Sequence, residues 1–486
     1  MYFNFQSCQF EEKTTRPNKL ALIGSDGEKS WNEVSQLVGQ ITQAIESLSL
    51  KKGYPIFIYG HKETAFPISI LACLSANHPF VPIDKLYPTE RINEIQEETN
   101  SSVFIDCTGT LSGKNKTFIQ VIGDKVIVEN GEIRESWVPV YDQNPLAYIL
   151  FTSGSTGKPK GVLIRQSSIL DLVKWVKSDA FRMSEQDVFV NQSPFSFDVS
   201  LFDTFASFTY GASMILVSQE LSKNSDEFFK VLRNYKATFW TSTPAFIYMY
   251  LRESWFNSFS LKHLRSFVFA GEPLPISTCE SLYDNFSNPN IYNAYGPTEA
   301  TVITTLLKVE KELFSSSSSL PIGYSKPESK MITEKSEATR KTPSELIIIG
   351  ENVAEGYLNR PEETKEKFFQ IDGKKAYKTG DLGFIEEGLI YCLGRNDNQI
   401  KLNGYRIELD EINEKLLGYP FINESRTIGL KRQDKVVRIV CMIQSDEVLD
   451  MASLKENLLL VLPHYMVPSD FLQINAFPTN QSGKID

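Results

Sequence analysis

The sequence contains few of the cysteines and histidines from which disulfide frameworks and metal centres are built. It holds six cysteines and four histidines among 486 residues. The cysteines are scattered without a C-x-x-C pair, which is typical of reduced, mostly buried thiols. The histidines match neither H-E-x-x-H nor a Cys/His zinc spacing. We therefore expect no disulfide framework and no histidine-bound metal.

A basic excess is also lacking. With 50 Lys and Arg against 60 Asp and Glu, the formal net charge is −10. Because a nucleic-acid binder must neutralise phosphates, this balance argues against nucleic acid as a partner. No apolar run approaches the length that spans a bilayer, and residues 1–10 lack the basic and apolar segments of a signal peptide. The sequence thus predicts a cytoplasmic protein without membrane insertion.

The chain has enough apolar material for more than one hydrophobic core. At 486 residues it exceeds the size at which a single core stops growing, so we expect at least two domains. Short apolar runs alternate with helical patterns, which predicts an α/β fold with largely parallel sheets. One helical pattern covers residues 167–176, where Ser167 or Ser168 could cap the helix. The strand-like runs are 55–59, 103–105, 146–151, 188–191, 213–217, 266–269 and 346–349.

A domain boundary is indicated near residues 394–398, where polar turn formers separate two strand-like runs. We expect residues 1–396 to form a large N-terminal subdomain of mixed, mostly parallel sheets with helices. Residues 397–486 are expected to form a small, mobile α+β lid. Two polar stretches, 315–319 and 325–344, are predicted to be surface loops.

Residues 152–161 have the composition of a phosphate-binding loop. They follow the strand-like run 146–151 and contain three glycines, four hydroxyls and two lysines. Glycines let backbone amides converge on anionic oxygens, and the other side chains add donors and charge. The spacing of Gly154 and Gly157 does not fit a Walker loop, and Pro159 stands where its helix would continue. On composition alone, a flexible polar turn is the alternative.

Further motifs follow this loop in a fixed order. They are NAYGPTE at 293–299, YKTGD at 377–381, GR at 394–395, IKLNGYRIE at 400–408 and NQSGK at 480–484. The ordered set spans nearly the whole chain and resembles the adenylate-forming superfamily. That superfamily includes acyl-CoA synthetases, firefly luciferase and the adenylation domains of nonribosomal peptide synthetases. Through NQSPFSFD at 191–198, LPIG at 320–323 and KLNGYRIE at 401–408, the chain looks most similar to the D-alanine carrier protein ligases.

This resemblance implies an AMP-forming ligase that uses ATP and Mg²⁺. Tyr295 would lie against adenine, Thr298 would bond the α-phosphate, and Glu299 would help to hold Mg²⁺, roles that suit an aromatic face, a hydroxyl and a hard oxygen ligand. Asp381 and Arg395 would bind the ribose. The residues implied to bind ATP are Thr152, Ser153, Gly154, Ser155, Thr156, Gly157, Lys158, Lys160, Asn293, Ala294, Tyr295, Gly296, Asp381, Arg395 and Lys484.

Two further roles come from the same resemblance. Lys484 would act with Thr298 and Glu299 in catalysis by bridging the substrate carboxylate and the α-phosphate, where two anions must be brought together. Asp397 matches the hinge about which the lid rotates before the second half-reaction. Each residue also has a plainer interpretation, because Lys484 could be an exposed tail lysine and Asp397 a turn residue.

The implied reaction has two partners beside ATP. An amino acid, with D-alanine as the best match, would be converted to aminoacyl-AMP with release of pyrophosphate. The acyl group would then pass to the phosphopantetheine thiol of a small acidic carrier protein, as in D-alanylation of cell-wall polymers such as lipoteichoic acid.

Asp198 is the most informative pocket residue. In amino acid activating relatives the matching aspartate pairs with the substrate ammonium, and a buried carboxylate needs such a partner. The alternative is a helix N-cap. Phe202 and Ala270 depart from the D-alanine ligase pattern, so L-alanine, valine and proline stay open. The other residues aligned with the pocket are Val199, Thr241, Val268, Gly271, Ala294 and Val302.

Two other classes of function are consistent with parts of the pattern. An acyl-CoA synthetase would share the nucleotide motifs, but Asp198 argues against it. A nucleotide-binding regulatory protein without catalysis is opposed by the presence of Glu299, Asp381 and Lys484.

Overall fold

The computed structural model describes most of the chain and divides into two compact units. The first unit comprises Met1–Lys85, Thr99–Leu150 and Val162–Asn396, and the second comprises Leu86–Glu98, Phe151–Gly161 and Asp397–Asp486. The second unit therefore adds two internal stretches to residues 397–486, and the assignment of all of 1–396 to one subdomain stays a prediction. The described residues are 2–11, 18–113, 116–135, 138–141, 143–154, 157–316, 319–432 and 435–478.

Strands and helices alternate along much of the chain. The strands are β1 Tyr2–Asn4, β2 Gln9–Glu11, β3 Leu20–Gly24, β4 Gly27–Ser30, β5 Ile56–Gly60, β6 Phe80–Asp84, β7 Val103–Asp106, β8 Thr117–Ile122, β9 Lys125–Glu129, β10 Leu146–Thr152, β11 Lys160–Arg165, β12 Val188–Asn191, β13 Ser213–Leu216, β14 Phe239–Ser242, β15 Ser266–Phe269, β16 Asn290–Tyr295, β17 Thr305–Lys308, β18 Tyr324–Ser325, β19 Ser329–Thr333, β20 Ser344–Gly350, β21 Phe368–Ile371, β22 Lys374–Glu386, β23 Leu389–Arg395, β24 Gln399–Leu402, β25 Tyr405–Glu408, β26 Glu424–Arg432, β27 Lys435–Gln444 and β28 Asp470–Ile474.

The helices are α1 Trp31–Ser47, α2 Ala65–Ser75, α3 Thr89–Thr99, α4 Gln166–Val176, α5 Val199–Tyr210, α6 Gln219–Lys223, α7 Ser225–Asn234, α8 Pro244–Tyr248, α9 Ile276–Asn285, α10 Leu313–Ser316, α11 Pro361–Lys367, α12 Leu409–Leu417 and α13 Met451–Val461, with a 3₁₀ turn at Thr298–Ala300. Among the described residues, no helix has the length and apolar character needed to cross a membrane.

Two large sheets are mainly parallel. One has the order β11-β10-β6-β5-β7-β8-β9, and the other has the order β18-β17-β16-β15-β14-β12-β13-β3-β4. In the second sheet the pairings from β16 through to β3 are all parallel. Strands β10, β14 and β15 are buried along their whole length, as expected for parallel strands covered on both faces. The predicted α/β fold is confirmed, and each predicted strand-like run overlaps an observed strand.

The remaining sheets are smaller. Strands β19, β20, β22, β21 and β23 form an antiparallel sheet in the first unit. The second unit contains the hairpin β24–β25 and the sheet β26-β27-β28. It has an apolar core of its own, which includes Ile407, Ile412, Leu416, Ile443 and Leu458. The described part of residues 397–486 contains both helices and strands, as expected for an α+β fold.

Helix α4 forms where predicted but starts differently. Its buried face carries Ile169, Leu172, Val173 and Val176, as the helical spacing indicates. The predicted serine cap is wrong, because Arg165 is the N-cap and makes no side-chain capping bond. The serines lie inside the first turn, where the Ser168 hydroxyl donates to the Glu351 carbonyl at 2.7 Å.

The predicted loop at 325–344 is also wrong in part, since β19 lies inside it. Met331 is 4 % exposed and is aligned with Ile348 of the apolar strand β20. Pairing with a strongly apolar neighbour thus makes a strand of a segment that has few large apolar residues of its own. In the stretch 315–319, Ser315 and Ser316 end helix α10, and residues 317 and 318 lie outside the described residues.

Candidate active site

Parallel strands of the nine-stranded sheet bring several of the predicted pocket residues to one edge of that sheet. Thr241, Val268 and Tyr292 are aligned neighbours on β14, β15 and β16. Because all these strands run in the same direction, their carboxyl ends meet at the same edge. In open α/β sheets, ligands bind in the crevice outside this edge.

The apolar residues predicted to line the pocket belong to one core cluster. Val199 is half-buried and packs against that cluster, and Gly271 continues from β15 with a φ of +89°. Small and aliphatic side chains dominate the set, which suits a ligand with a small apolar group. Their contact with a substrate stays a prediction. The cluster members, each 4 % exposed or less, are Phe202, Val268, Ala270, Ala294 and Val302.

Asp198 occupies the N-cap position of α5, but its side chain makes no capping bond. Its backbone is helical, with φ −63° and ψ −27°, and its side chain accepts no hydrogen bond from the described amides of the first turn. A capping aspartate would normally be extended and would accept from those amides, so the N-cap alternative does not explain this residue. Asp198 is 8 % exposed. Burial raises the pKa of Tyr148 well above its usual value, and the negative charge of Asp198 adds to that rise.

The turn that follows β16 depends on close backbone packing. A Cβ on Gly296 would stand 2.6 Å from the Cα of Ile303 and 2.7 Å from the Val302 carbonyl oxygen. Only glycine fits that space. Asn352 holds the next turn because its Nδ2 donates to the Ala300 carbonyl at 3.0 Å. The NAYGPTE segment is therefore fixed by tertiary contacts as well as by its strand.

Tyr295, Asp381 and Arg395 form one hydrogen-bonded group. The Tyr295 hydroxyl donates to Oδ2 of Asp381 at 2.5 Å, and Nη1 of Arg395 donates to Oδ1 at 2.9 Å. Burial, followed by the charge of Asp381, raises the pKa of Tyr295 well above its usual value. Asp381 and Arg395 are aligned across β22 and β23. The arrangement presents an oriented carboxylate that can accept further bonds from vicinal hydroxyls.

Glu299 is fully buried in the short 3₁₀ turn. Its Oε1 accepts a hydrogen bond of 2.8 Å from the Tyr357 hydroxyl. Thr298 precedes it and is 8 % exposed. Burial of a carboxylate is costly unless it is hydrogen-bonded, and Tyr357 meets part of that need. The turn thus places a hydroxyl and a carboxylate side by side.

The predicted phosphate loop lies in the second unit, between β10 and β11. A Cβ on Gly154 would stand 2.1 Å from the Lys158 carbonyl oxygen, so the tight turn requires glycine. Gly157 has a φ of +74° and its amide donates to the Gly154 carbonyl at 3.2 Å. Lys158 is exposed, whereas Lys160 is buried. Within the described part of the chain, the buried Thr152 hydroxyl has no hydrogen-bond partner.

Donors of this loop are engaged by the C-terminal part of the same unit. The Ser153 hydroxyl donates to the Arg406 carbonyl at 3.0 Å and accepts from the Glu408 amide at 3.1 Å. The Gly154 amide donates to Oε2 of Glu411 at 3.1 Å. One of the backbone amides predicted to bind phosphate, that of Gly154, is therefore already hydrogen-bonded to the Glu411 carboxylate.

Glu411 is part of a buried ion pair. Its Oε1 lies 2.6 Å from Nη1 of Arg91, and the two side chains are 0 % and 4 % exposed. Burial raises the pKa of Glu411, although Arg91 and the Gly154 amide favour its charged form. Lys415 of α12 also pairs with Glu94 of α3. These contacts fasten α3 and the loop to α12 within the second unit.

The sequence profile of the AMP-binding enzyme family matches residues 10–358, which is most of the chain. The chain belongs to the AMP-binding enzyme family. The predicted resemblance to adenylate-forming enzymes is thereby confirmed.

Two curated relatives are similar in sequence to this AMP-binding enzyme over nearly its whole length. It is 34% identical over 484 residues to a D-alanine--D-alanyl carrier protein ligase of Bacillus licheniformis, covering 97% of this chain and 96% of the relative. A protein of the same name from Bacillus cytotoxicus is 32% identical over 491 residues, with 97% and 96% covered.

Solved structures show the same fold. An adenylation domain of Vibrio cholerae, solved with glycyl-adenosine-5'-phosphate, matches with a TM-score of 0.81 at 22% identity, covering 98% of this chain and 97% of that one. An o-succinylbenzoate CoA synthetase of Bacillus subtilis matches with a TM-score of 0.81 at 20% identity, covering 97% and 95%. At these identities the likeness concerns architecture alone.

Glu299 fits a magnesium ion that arrives with phosphate. In the described part of this AMP-binding enzyme, no group of three or more His, Cys, Asp or Glu side chains could hold a metal. Mg²⁺ is usually held by one or two carboxylates together with substrate phosphates and water. A single buried carboxylate beside a hydroxyl suits that mode and not a preformed protein cage.

Asp397 and Asn293 both make hydrogen bonds that do not test their predicted roles. Asp397 is exposed, begins the last stretch of the second unit and accepts from the Gln399 amide at 3.2 Å, a turn contact that leaves its hinge role a prediction. Asn293 donates to the Pro321 carbonyl at 2.8 Å. The predictions for Ser155, Thr156 and Lys484 lie outside the described residues.

Sequence reasoning missed some of the site's partners. Tyr357, Arg91 and Glu411 carry no local motif, and each acts on a residue distant in the chain. Their partners are 58 and 320 positions away. The residue types of Arg91 and Glu411 gave no signal of this contact, because arginine and glutamate on helices are usually solvent-exposed.

Proposed function

We propose that this AMP-binding enzyme activates D-alanine with ATP and transfers the D-alanyl group to the phosphopantetheine thiol of a carrier protein. The observation that carries the proposal is the buried Asp198 carboxylate, which makes no side-chain capping bond and precedes Val199, a residue that packs against the core containing Ala270 and Ala294. A cationic ammonium next to a methyl group matches that pair of features. The names of the Bacillus relatives support the same substrate.

In the first half-reaction, a carboxylate oxygen of the amino acid attacks the α-phosphorus of ATP and pyrophosphate leaves. Asp198 would bind the substrate ammonium and thereby orient the carboxylate. The substrate carboxylate is already ionised at neutral pH, so no general base is needed. The barrier comes from bringing two anions together, and charge neutralisation and positioning must lower it.

We propose that the nucleotide is held by the groups described above. Tyr295 would lie against the adenine, and Asp381 and Arg395 would bond the ribose hydroxyls. Thr298 would donate to the α-phosphate, while the amides and hydroxyls of the 152–161 loop would bind phosphate oxygens. Glu299 would hold Mg²⁺, which when bound neutralises phosphate charge. Lys484 would bridge the two reacting anions.

In the second half-reaction, the thiol sulfur attacks the carbonyl carbon of the mixed anhydride and AMP leaves. The thiol proton passes to solvent or to the departing phosphate. A carrier of acidic character and a lid that rotates about Asp397 belong to this proposal. Free cysteines in the described chain and the need for ATP suit the cytoplasm as the place of reaction.

The test is ATP–pyrophosphate exchange with purified enzyme across D- and L-amino acids. We expect D-alanine to give the highest rate, and Asp198→Ala to lower that rate by at least about 100-fold, since a buried ammonium would lose its counter-ion. Tyr283→Phe serves as a control because that hydroxyl bonds the Val309 carbonyl, outside the proposed site.

Other outcomes assign other functions. A preference for L-alanine, valine or proline would keep the chemistry and change the substrate. Exchange driven by an acid without an amine, with transfer to coenzyme A, would indicate an acyl-CoA synthetase. No exchange with any acid would indicate a nucleotide-binding protein without catalysis and would refute the proposal.

A further inference from the structure

Lys62 is a fully buried lysine that contacts the segment leading to Asp198. It follows β5, is 2 % exposed, and its ammonium donates to the Ser193 carbonyl at 2.6 Å. The same ammonium also donates to Oδ1 of Asn191. Because β5 and β12 belong to different large sheets, this one side chain joins them within the first unit.

Asn191 extends the contact of Lys62 to the start of α5. Its Nδ2 donates to the Ser200 carbonyl at 2.9 Å and to Oδ2 of Asp203 at 3.3 Å. Ser200 lies two residues beyond Asp198. Lys62 therefore holds the segment 192–199 at both ends. It bonds Ser193 directly, and it reaches Ser200, just beyond the segment, through Asn191.

An aromatic contact fixes the middle of the same segment. The Lys62 ammonium lies 4.4 Å from the centre of the Phe195 ring. Phe195 is also stacked on Phe66, with ring centres 4.6 Å apart and planes inclined by 10°. A cation over an aromatic face is attracted by the ring quadrupole, most strongly away from water.

Burying the charged side chains of Lys62 and Asp203 costs free energy, because both are removed from water. Burial lowers the pKa of Lys62 to about 7, although the charges of Asp203 and Asp84 act in the opposite direction. Burial likewise raises the pKa of Asp203 to about 8, against the hydrogen bonds from Thr241 and Asn191 and the charge of Lys62. Apolar residues of similar volume often give equal or greater stability than a buried ion pair. Stability alone is therefore a weak reason for a lysine at this position.

We propose that Lys62 is a positioning residue for the amino acid: it holds the segment 192–199 so that the Asp198 carboxylate stands where the substrate ammonium binds. The inference rests on the proposed function. It predicts that loss of the Lys62 ammonium weakens amino acid binding and leaves nucleotide binding nearly unchanged, because the contacts made by Lys62 lead to Asp198 and not to the Tyr295–Asp381 group.

The experiment measures KM for D-alanine and for ATP in pyrophosphate exchange with the Lys62→Met variant. We expect the KM for D-alanine to rise at least tenfold and the KM for ATP to stay within twofold. Lys326→Met is the matched control, because Lys326 is equally buried and pairs with Asp171 elsewhere in the first unit. That variant should lose comparable thermal stability while both KM values stay within twofold of wild type.

A second variant separates positioning from stability. Lys62→Met removes a charge that favours the ionised form of the buried Asp203, so Asp203→Asn in the same chain should recover thermal stability. The KM for D-alanine should remain raised in this double variant. Recovery of KM together with stability, or equal rises in both KM values, would overturn the role of Lys62. Absence of exchange with D-alanine in the wild-type enzyme would instead overturn the proposed function.

Discussion

Tyr295 shows how burial determines what a single side chain contributes. An exposed tyrosine hydroxyl would share its hydrogen bonds with water. In the first unit the buried Tyr295 hydroxyl donates to Asp381, because burial limits competition from water. The Asp381 carboxylate is thereby oriented from both sides, by Tyr295 and by Arg395.

The Tyr295→Phe variant tests this orientation. It keeps the aromatic ring and removes one donor to a charged group, an interaction worth about 1.5–3 kcal/mol. Because Arg395 still holds the carboxylate, we expect the KM for ATP to rise by about tenfold at the lower limit of that range. The KM for D-alanine should change much less. An unchanged KM for ATP would show that Asp381 does not need the tyrosine.

At the scale of elements, the predicted phosphate loop is a turn in which the donors of Ser153 and Gly154 are engaged by neighbouring elements. Ser153 and Gly154 bond residues of β25 and α12, and Glu411 of α12 is in turn paired with Arg91 of α3. The same amide cannot bond a phosphate and Glu411 at once. Nucleotide binding through Gly154 would therefore have to displace this carboxylate.

The Arg91–Glu411 pair should stabilise the second unit only as a pair. Glu411→Ala leaves a buried guanidinium without its counter-ion, and we expect a loss of about 3–5 kcal/mol. The double variant Arg91→Met with Glu411→Leu should recover most of that loss, because apolar replacement of a buried pair is often neutral. Hydrogen exchange of the α12 amides measures both effects.

A surface pair provides the control for this comparison. Glu424 and Arg426 are 30 % and 43 % exposed, so Glu424→Ala should change stability by less than about 1 kcal/mol. If the single and double changes at Arg91 and Glu411 cost the same, the ion pair is not what fastens α12.

For the whole molecule, the division into units does not follow the order of the sequence. The second unit combines residues 397–486 with 86–98 and 151–161. Each unit has its own apolar core, which for the second is centred on residues such as Ile412 and Leu458. The internal stretches are therefore expected to depend on the C-terminal residues for their packing.

A fragment ending at residue 396 tests that dependence. The cores of the first unit are complete in it, so we expect the fragment to fold. Residues 86–98 and 151–161 lose Glu411 and Lys415 as partners and should exchange their amide hydrogens faster than in the full chain. Exchange rates equal to those of the full chain would contradict the division into these units.

The sequence by itself determined the α/β class, six strands of the two large sheets and the identity of the motifs. A buried parallel strand such as β10 is a continuous apolar run, and the glycines of the 152–161 loop lie within eight positions of one another. Such features depend on neighbouring residues, so a local pattern is enough to predict them. The strand β19 was missed because its conformation depends on β20 and not on its own composition.

Only the tertiary structure decided which distant side chains meet. Lys62 contacts Asn191 across 129 positions, and Arg91 contacts Glu411 across 320. Both lysine and arginine are ordinarily found at the surface, and nothing near them in the sequence marks them as buried. Their charges are tolerated inside because the fold supplies partners, and that supply is a property of the packed chain and not of any segment of it.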